Sequence, residues 1–247
     1  MKRLGIDIGG TGIKGAVVNT ETGELITERH RILTPKPAAP AAVAEVVNQV
    51  REFHQWQGPF GCGFPAVVQN GFTRTAANVD SGWIGTNAAA VIEAASGHPV
   101  RVQNDADVAG LAEMRFGAGK GEPGVVIIVT IGTGLGTALF SDGKLVPNSE
   151  LGHLEVNGVD AETMASDSAR RRDGLKWKEW AKRFDAFLTA LHTVIWPDLI
   201  ILGGGASKKS HKFLDQLTIP TRVVPAKLLN EAGIVGAAIA AEGLLDG

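Results

Sequence analysis

The sequence predicts an α/β protein, and three observations carry that prediction. β-rich runs alternate with helix-periodic segments along the 247 residues. Three of those runs end in small-residue turns: Gly9-Gly10-Thr11-Gly12, Gly132-Thr133-Gly134 and Gly203-Gly204-Gly205. Two strand–glycine-turn–strand units, 4–18 and 125–140, are alike and suggest a duplicated two-lobe chain.

Leu4-Gly5-Ile6-Asp7-Ile8 alternates and is β-branched. After the first glycine turn, 13–18 returns as a strand, and Thr22-Gly23 turns the chain into a third antiparallel strand over 24–32. Pro35, Pro37 and Pro40 mark a connector and a helix entry. Val43, Val46, Val47, Val50 and Phe53 then form one stripe of a helix over 41–56. A short strand follows at 60–65. Next comes an alanine-rich helix at 87–95, closed by Gly97. A strand at 100–103 leads into a helix at 105–116 with Asn104 at its cap. A buried strand at 124–130 pairs with 136–140. A long helix over 174–194 carries Trp177, Trp180, Phe184, Phe187 and Leu191. A strand at 199–202 enters the third glycine turn, and an apolar helix over 234–245 closes the chain.

Composition narrows the function classes. Lys plus Arg number 24 and Asp plus Glu 26, a net charge of −2. Such a chain is no general binder of nucleic acid or anionic membranes. Tyr is absent, so no phenol takes part in the chemistry. Cys62 is the single cysteine, which excludes an internal disulfide framework and a Cys-rich zinc site. It suits a reducing cytoplasm. Asp7 interrupts any leader-like start, and the longest purely apolar run, 125–129, is too short for a bilayer. Glycine makes up 32 of the 247 residues, about 13% against a usual ~7%. The surplus points to tight turns or to backbone that approaches a ligand closely.

Gly10, Gly12 and Gly15 match G-x-G-x-x-G by letter. That dinucleotide fingerprint needs a helix directly after it, whereas Gly15-Ala16-Val17-Val18 continues as a strand. No P-loop signature occurs either. The segment is an ordinary hairpin turn, or a turn whose backbone N–H groups face a phosphate, with Asp7 beside it and Lys14 after it. In the second turn Thr130 and Thr133 add hydroxyl donors. Together with Gly203, Gly204 and Gly205, the three turns suit a polyanion held between two lobes.

The carboxylates suggest the other substrate. Gln103-Asn104-Asp105-Ala106-Asp107 stands where a strand gives way to a helix, a position that faces a cleft in α/β proteins. Asp105 is the candidate general base; the plain alternative for Asn104 or Asp105 is an N-cap. Asp107 suits the helix dipole. Glu150 and His153, three apart, can share one side of a turn. His153 reads as a sugar-hydroxyl partner, a satisfied loop histidine or, least well, a metal ligand, because no companion stands at ligand spacing. Glu162 precedes the small-residue run Thr163-Met164-Ala165-Ser166. Carboxylates with Asn and His and no metal motif suit hydroxyl recognition.

These residues resemble the ROK family (repressors, open reading frames, kinases) of sugar kinases, in the actin-like phosphotransferase superfamily. The first phosphate motif is Gly5-Ile6-Asp7-Ile8-Gly9-Gly10-Thr11-Gly12-Ile13-Lys14. The catalytic segment is Asn104-Asp105-Ala106, followed by Ala109-Gly110-Leu111-Ala112-Glu113. Residues 130–136 match the second phosphate motif, Glu150-Leu151-Gly152-His153 the sugar motif and Leu202-Gly203-Gly204-Gly205 the adenosine-like motif. The resemblance covers nearly the whole chain. It implies an actin-like (ribonuclease H-like) α/β fold of two lobes with a cleft between them. The small lobe would be 1–104 and the large lobe 105–231, with a closing helix, 232–247, packing back on the small lobe.

The departures are informative. Family members typically follow the sugar-motif histidine with a cysteine cluster that binds zinc. Here 154–161 holds no cysteine, so no zinc is expected. The family's next sugar-binding glutamate falls on Glu162. The lost cluster, with Asp160-Ala161-Glu162 and Asp173-Gly174-Leu175-Lys176-Trp177, is similar to the polyphosphate-using glucokinase branch. Phe64-Pro65-Ala66 stands where a Pro-Gly pair is common, and Met164 where a tyrosine is frequent.

Residues 170–183 hold seven basic side chains (Arg170, Arg171, Arg172, Lys176, Lys178, Lys182, Arg183) against Asp173 and Glu179. The first five form the expected polyphosphate patch. Such a stripe guides a long polyanion by counter-ion release, or is a solvated helix face.

The resemblance thus implies phosphoryl transfer from polyphosphate, ATP or both to the 6-hydroxyl of glucose. Asp105 would accept the hydroxyl proton. Asn78, Asn104, Asp105, Glu150, His153 and Glu162 would bind the sugar. Asp7, Gly9, Gly10, Thr11, Gly12, Lys14, Thr130, Gly132, Thr133 and Gly134 would bind donor phosphates, and Gly203, Gly204 and Gly205 a nucleotide. Mg²⁺ would arrive with the phosphates near Asp7, with no dedicated protein ligand set. A homodimer is implied; nucleic acid and membranes are not expected partners. The alternatives are an ATP-dependent kinase for another hexose such as mannose, and a non-catalytic sugar sensor. The sensor's DNA-binding helix-turn-helix has no room before a motif that starts at residue 5. An actin-like scaffold would share the glycine turns but has no need of Asn104, Asp105, Glu150 and His153.

Overall fold

The computed structural model describes residues 1–77 and 79–244. Asn78, expected to bind sugar, and residues 245–247, where the closing helix was expected to end, lie outside the described residues. The chain forms two compact units. One holds residues 1–112 and the C-terminal segment from Glu231; the other is Glu113–Asn230.

The first unit is built on a sheet of β1 (Lys2–Gly9), β2 (Gly12–Asn19), β3 (His30–Ile32), β4 (Phe60–Phe64) and β7 (Val100–Asn104), in the order β3-β2-β1-β4-β7. A side hairpin, β5 (Val68–Gln69) with β6 (Phe72–Thr73), follows β4. β1 pairs antiparallel with β2 and parallel with β4, which pairs parallel with β7. The period of two divides the side chains. Leu4, Ile6, Ile8, Phe60, Cys62, Phe64, Val100 and Val102 share a core with helix α1 (Pro40–Phe53) and helix α2 (Ala88–Ser96). On alternate positions stand Gly5, Asp7, Gly61 and Gly63. A methyl group at Gly5 or Gly61 would overlap the backbone of helix α8 (Ala232–Ala240), so these glycines let the helix lie directly on the strands.

Helix α3 (Asp105–Phe116) starts in the first unit. In the second unit its Glu113, 1% exposed, accepts the backbone N–H groups of Ala118, Lys227 and Leu228 at 2.8, 3.1 and 2.7 Å.

The second unit contains β8 (Val125–Ile131), β9 (Leu135–Ser141), β10 (Lys144–Val146), β13 (Leu199–Gly203) and β14 (Arg222–Pro225), in the order β10-β9-β8-β13-β14. Its pairing repeats that of the first sheet: two antiparallel neighbours on one side and two parallel ones on the other. The likeness of 4–18 and 125–140 is therefore topological. A short ladder, β11 (Glu155–Val156) with β12 (Val159–Asp160), leads to helices α4 (Ala161–Ala165) and α5 (Asp167–Arg172). Helix α6 (Trp177–Ile195) buries Trp180, Phe184, Phe187 and Leu191 against Ile127, Val129, Ile200 and Leu202. The short helix α7 (Gly204–Ser207) follows β13.

Three expectations need correction. The strand expected over 24–32 is reduced to His30–Ile32, with Leu25 forming an isolated bridge to Val18. The Thr27 hydroxyl takes the Val17 N–H at 3.0 Å, a donor the ladder would otherwise use. The long helix starts at Trp177, not at residue 174: Gly174 is left-handed at φ 63°, and the Lys176 N–H goes to the Glu179 carboxylate at 2.9 Å. The basic run is therefore no single helix face, because it is split between α5 and α6.

Candidate active site

In the first unit, β1 and β2 are joined by Gly10 and Thr11. The register sets Asp7 opposite Lys14, and Lys14 opposite Arg31. Lys14 Nζ lies 3.0 Å from Asp7 Oδ2. Arg31 donates to the Thr11 carbonyl at 2.9 Å, and the Thr34 hydroxyl to the Gly9 carbonyl. One cation thus pairs with the Asp7 carboxylate, while Arg31 and Thr34 pin the glycine turn beside it. The sequence reading missed Arg31, whose place opposite Lys14 depends on a three-residue strand.

At the end of β7, Asn104 Oδ1 accepts the N–H groups of Ala106 and Asp107 at 2.8 and 3.1 Å, and its Nδ2 donates to the Ala66 carbonyl at 3.2 Å. Asn104 is therefore the cap that starts α3. This fixes the first helical residue, Asp105. Gly63 on β4 is level with Asp7 in the parallel register. An ideal Cβ there would lie 3.6 Å from the Asp105 Cα, 3.8 Å from Asp7 Oδ1 and only 2.7 Å from a Val108 methyl. The missing side chain leaves Asp7 and Asp105 open to each other. A Cβ on Gly233 of α8 would stand 2.6 Å from Asp7 Oδ2, so the helix also closes on that carboxylate.

In the second unit, Gly132, Thr133 and Gly134 link β8 to β9, and the Gly132 N–H bonds to the Gly134 carbonyl at 3.0 Å. Thr130, at the end of β8, pairs with Gly203 on β13. Gly204 adopts φ 75°, and a Cβ there would meet the Ile131 carbonyl oxygen at 2.5 Å. Only glycine fits both demands. The third glycine turn is thereby laid against the second, while Gly205 is exposed beyond it.

Glu162, on the first turn of α4, accepts the Leu135 N–H through Oε2 at 2.9 Å. A methyl on Gly134 would overlap that same carboxylate. The turn Leu151–His153 is bound to β9: the Leu151 N–H donates to the Thr137 hydroxyl at 3.0 Å, and a Cβ at Gly152 would overlap the Leu135 carbonyl. Within this unit the 132–134 turn, Glu162 and the Glu150–His153 segment therefore converge on Leu135.

His153 Nδ1 is 2.9 Å from Asp160 Oδ2, and its Nε2 is 4.0 Å from Glu150 Oε2. The Asp160 hydrogen bond, with added pull from Glu162 and Glu150, raises the His153 pKa above its ordinary value despite partial burial. Burial pushes the Glu150 carboxyl up; His153 opposes this and Glu162 adds to it.

Within the basic run, Arg170 pairs with Asp167 at 2.8 Å and stacks over Trp177 at 4.2 Å. Arg171 also pairs with Asp167, at 2.7 Å. Arg172 and Arg183 share Asp173 at 2.8 and 2.5 Å. Their hydrogen bonds hold the Asp173 carboxyl down at about 2. Lys176, Lys178 and Lys182 are exposed and form no ion pair among the described residues.

Among the described residues no group of three or more His, Cys, Asp or Glu side chains is arranged to hold a metal ion. Cys62 is buried in β4, where burial pushes its thiol pKa up. A carboxylate beside a glycine turn, as at Asp7, suits Mg²⁺ held chiefly by phosphates and water. No helix of the described residues is long and apolar enough to cross a membrane.

Residues 3–171 match the ROK family. A polyphosphate glucokinase of Mycobacterium tuberculosis is 51% identical over 238 residues, covering 96% of this chain and 90% of that protein. The inorganic polyphosphate/ATP-glucomannokinase from Arthrobacter sp. strain KM is 49% identical, with a TM-score of 0.95, over 100% of this chain and 99% of that one. A ROK family glucokinase from Streptomyces griseus, solved with glucose and AMPPNP, has a TM-score of 0.85 at 25% identity, over 98% and 100% of the two chains.

Proposed function

This chain belongs to the ROK family, and from that premise we propose that it is a glucokinase transferring a phosphoryl group from inorganic polyphosphate or ATP to the 6-hydroxyl of glucose. The observation that carries the reading is the contact of Glu162 with the turn at Gly134 and Leu135. One carboxylate there serves a sugar-type site and touches a phosphate-type turn, as a transferase for those two substrates requires.

In this reading Asp105 takes the proton from the attacking hydroxyl, while Glu150, His153 and Glu162 hold the remaining hydroxyls. Asn104 fixes Asp105 and keeps a second Nδ2 hydrogen for the sugar. The turns 9–12 and 132–134, with Lys14, Thr130 and Thr133, bind the donor phosphates. Gly203, Gly204 and Gly205 shape the place of a nucleotide. Asp7 would help hold Mg²⁺, which when bound would neutralise phosphate charge. Most of the acceleration comes from positioning and charge stabilisation. Asn78 remains in the proposed sugar set on sequence grounds alone. Cytoplasmic location and a homodimer belong to the same reading.

For the polymeric donor, the patch is narrower than the basic run. Arg170, Arg171 and Arg172 are engaged by Asp167 and Asp173, so Lys176 and Lys178 are its main free charges. Mannose as a second acceptor is favoured by the 49% identity to the Arthrobacter glucomannokinase.

The test is a coupled assay with glucose, run in parallel with ATP and with long-chain polyphosphate. Glucose 6-phosphate is expected from polyphosphate. Its absence with both donors overturns the reading.

A further inference from the structure

We propose that Asp160 is a positioning residue for the sugar: through His153 Nδ1 it fixes the ring so that Nε2 is the nitrogen presented to glucose, and it ties that ring to the helix carrying Glu162. The inference rests on the glucokinase reading.

His153 stands on a short surface turn with its side chain 46% exposed. An imidazole so placed can rotate and exchange tautomers unless something holds it. Asp160 Oδ2 lies 2.9 Å from Nδ1. An ionised carboxylate only accepts hydrogen bonds, so Nδ1 carries the proton. In the neutral ring Nε2 is then a lone-pair acceptor, and it points towards Glu150 at 4.0 Å.

Asp160 is itself held from several directions. Its Oδ1 accepts the Thr163 N–H at 3.1 Å and caps α4. Its main-chain carbonyl takes the Thr163 hydroxyl at 2.8 Å. The β11–β12 ladder pairs it with Glu155, and the next residue, Ala161, donates to the Leu154 carbonyl at 2.9 Å. A residue that served only as a cap would use one oxygen. Here the second oxygen is spent on His153, so one carboxylate orients the ring and starts the helix of Glu162.

The carboxylates facing His153 come from three places: Asp160 on β12, Glu150 before the turn and Glu162 on α4. All three favour the imidazolium, with Asp160 contributing most.

Two variants separate the roles, because Asp, Asn and Ser all cap helices well. Asp160→Asn keeps the cap oxygen but presents an N–H to Nδ1, which forces the proton onto Nε2. Asp160→Ser keeps the cap but cannot reach the ring. Both should fold, with the glucose KM raised on the order of tenfold, as for a lost hydrogen bond to a charged group, and kcat changed much less. Nitrogen-15 NMR of the ring should show the Nδ1–H form in the wild type, and in Asp160→Asn the Nε2–H form with a lowered pKa. Glucose KM values within twofold of the wild type in both variants, or an unchanged tautomer in Asp160→Asn, overturn the proposal. A wild-type protein that converts no glucose overturns the glucokinase reading itself, and the sugar role with it; the NMR result still reports separately whether Asp160 sets the ring.

Discussion

Glu162 accepts the Leu135 N–H at 2.9 Å across the mouth of the turn that ends in Gly134. The Glu162 carboxylate and the 132–134 turn, to which the proposed function assigns the sugar and the donor phosphates, are thus packed against each other. Gly134→Ala places a methyl where the carboxylate lies, so Glu162 must swing away and give up Leu135. The fold should survive, since the end of a flexible side chain can move. We expect kcat/KM for glucose to fall by tenfold or more, about 1.4 kcal/mol, with a melting midpoint near that of the wild type. Steady-state kinetics and a thermal melt check this together.

In the first unit, Gly63 on β4 is the glycine that keeps space beside Asp105. Gly63→Ala puts a Cβ 2.7 Å from a stiff Val108 methyl and crowds the start of α3 at Asp105. Overpacking of this kind costs roughly 1–3 kcal/mol. Urea unfolding should show that loss, and kcat should fall as Asp105 shifts. Gly63→Ala with Val108→Ala relieves the clash and should recover stability beyond the single variant.

Asp173 gives the stability profile an acid limb. Arg172 and Arg183 lower its folded pKa to about 2, below the ordinary carboxyl value. A carboxyl lowered in this way contributes stability above its unfolded pKa and loses it as pH falls through the folded value. The melting midpoint should therefore drop between about pH 4 and pH 2. Asp173→Asn should flatten that limb, modestly, because the group is exposed and solvent-screened.

The basic run separates into structural and free charges. Arg170→Ala removes the stack on Trp177 and the Asp167 pair, and should lower the melting midpoint. Lys178→Ala should leave stability unchanged. It should raise the KM for long-chain polyphosphate and reduce the salt slope by about 0.7 per lost contact, as on a single-stranded polyanion. The KM for ATP should stay as it was. Salt titrations of the two donors read the difference.

Much of this was legible in the sequence because it is local. The three glycine turns, the Asn104 cap, the Gly97 helix stop and the buried face of α6 follow from patterns a few residues long. The misread elements depend on tertiary partners. The Thr27 hydroxyl displaced a stretch of expected strand, and the φ of Gly174 broke an expected helix. Charge counting found the run at 170–183 but could not see that Asp167, three residues before Arg170, neutralises part of it. Arg31 and Gly63 escaped notice, and Asp160 was read only as part of a motif, because their importance lies in a register or a contact. For Asp160 a hint was present: it precedes a small-residue helix start, as an N-cap does.

Asp105 carries the central claim, and Asp105→Asn tests it most directly. Asn keeps the shape of the side chain and removes the proton acceptor. The account predicts a folded protein that binds glucose within about tenfold of the wild type but loses on the order of 10² or more in kcat. A kcat near that of the wild type in that variant would contradict it.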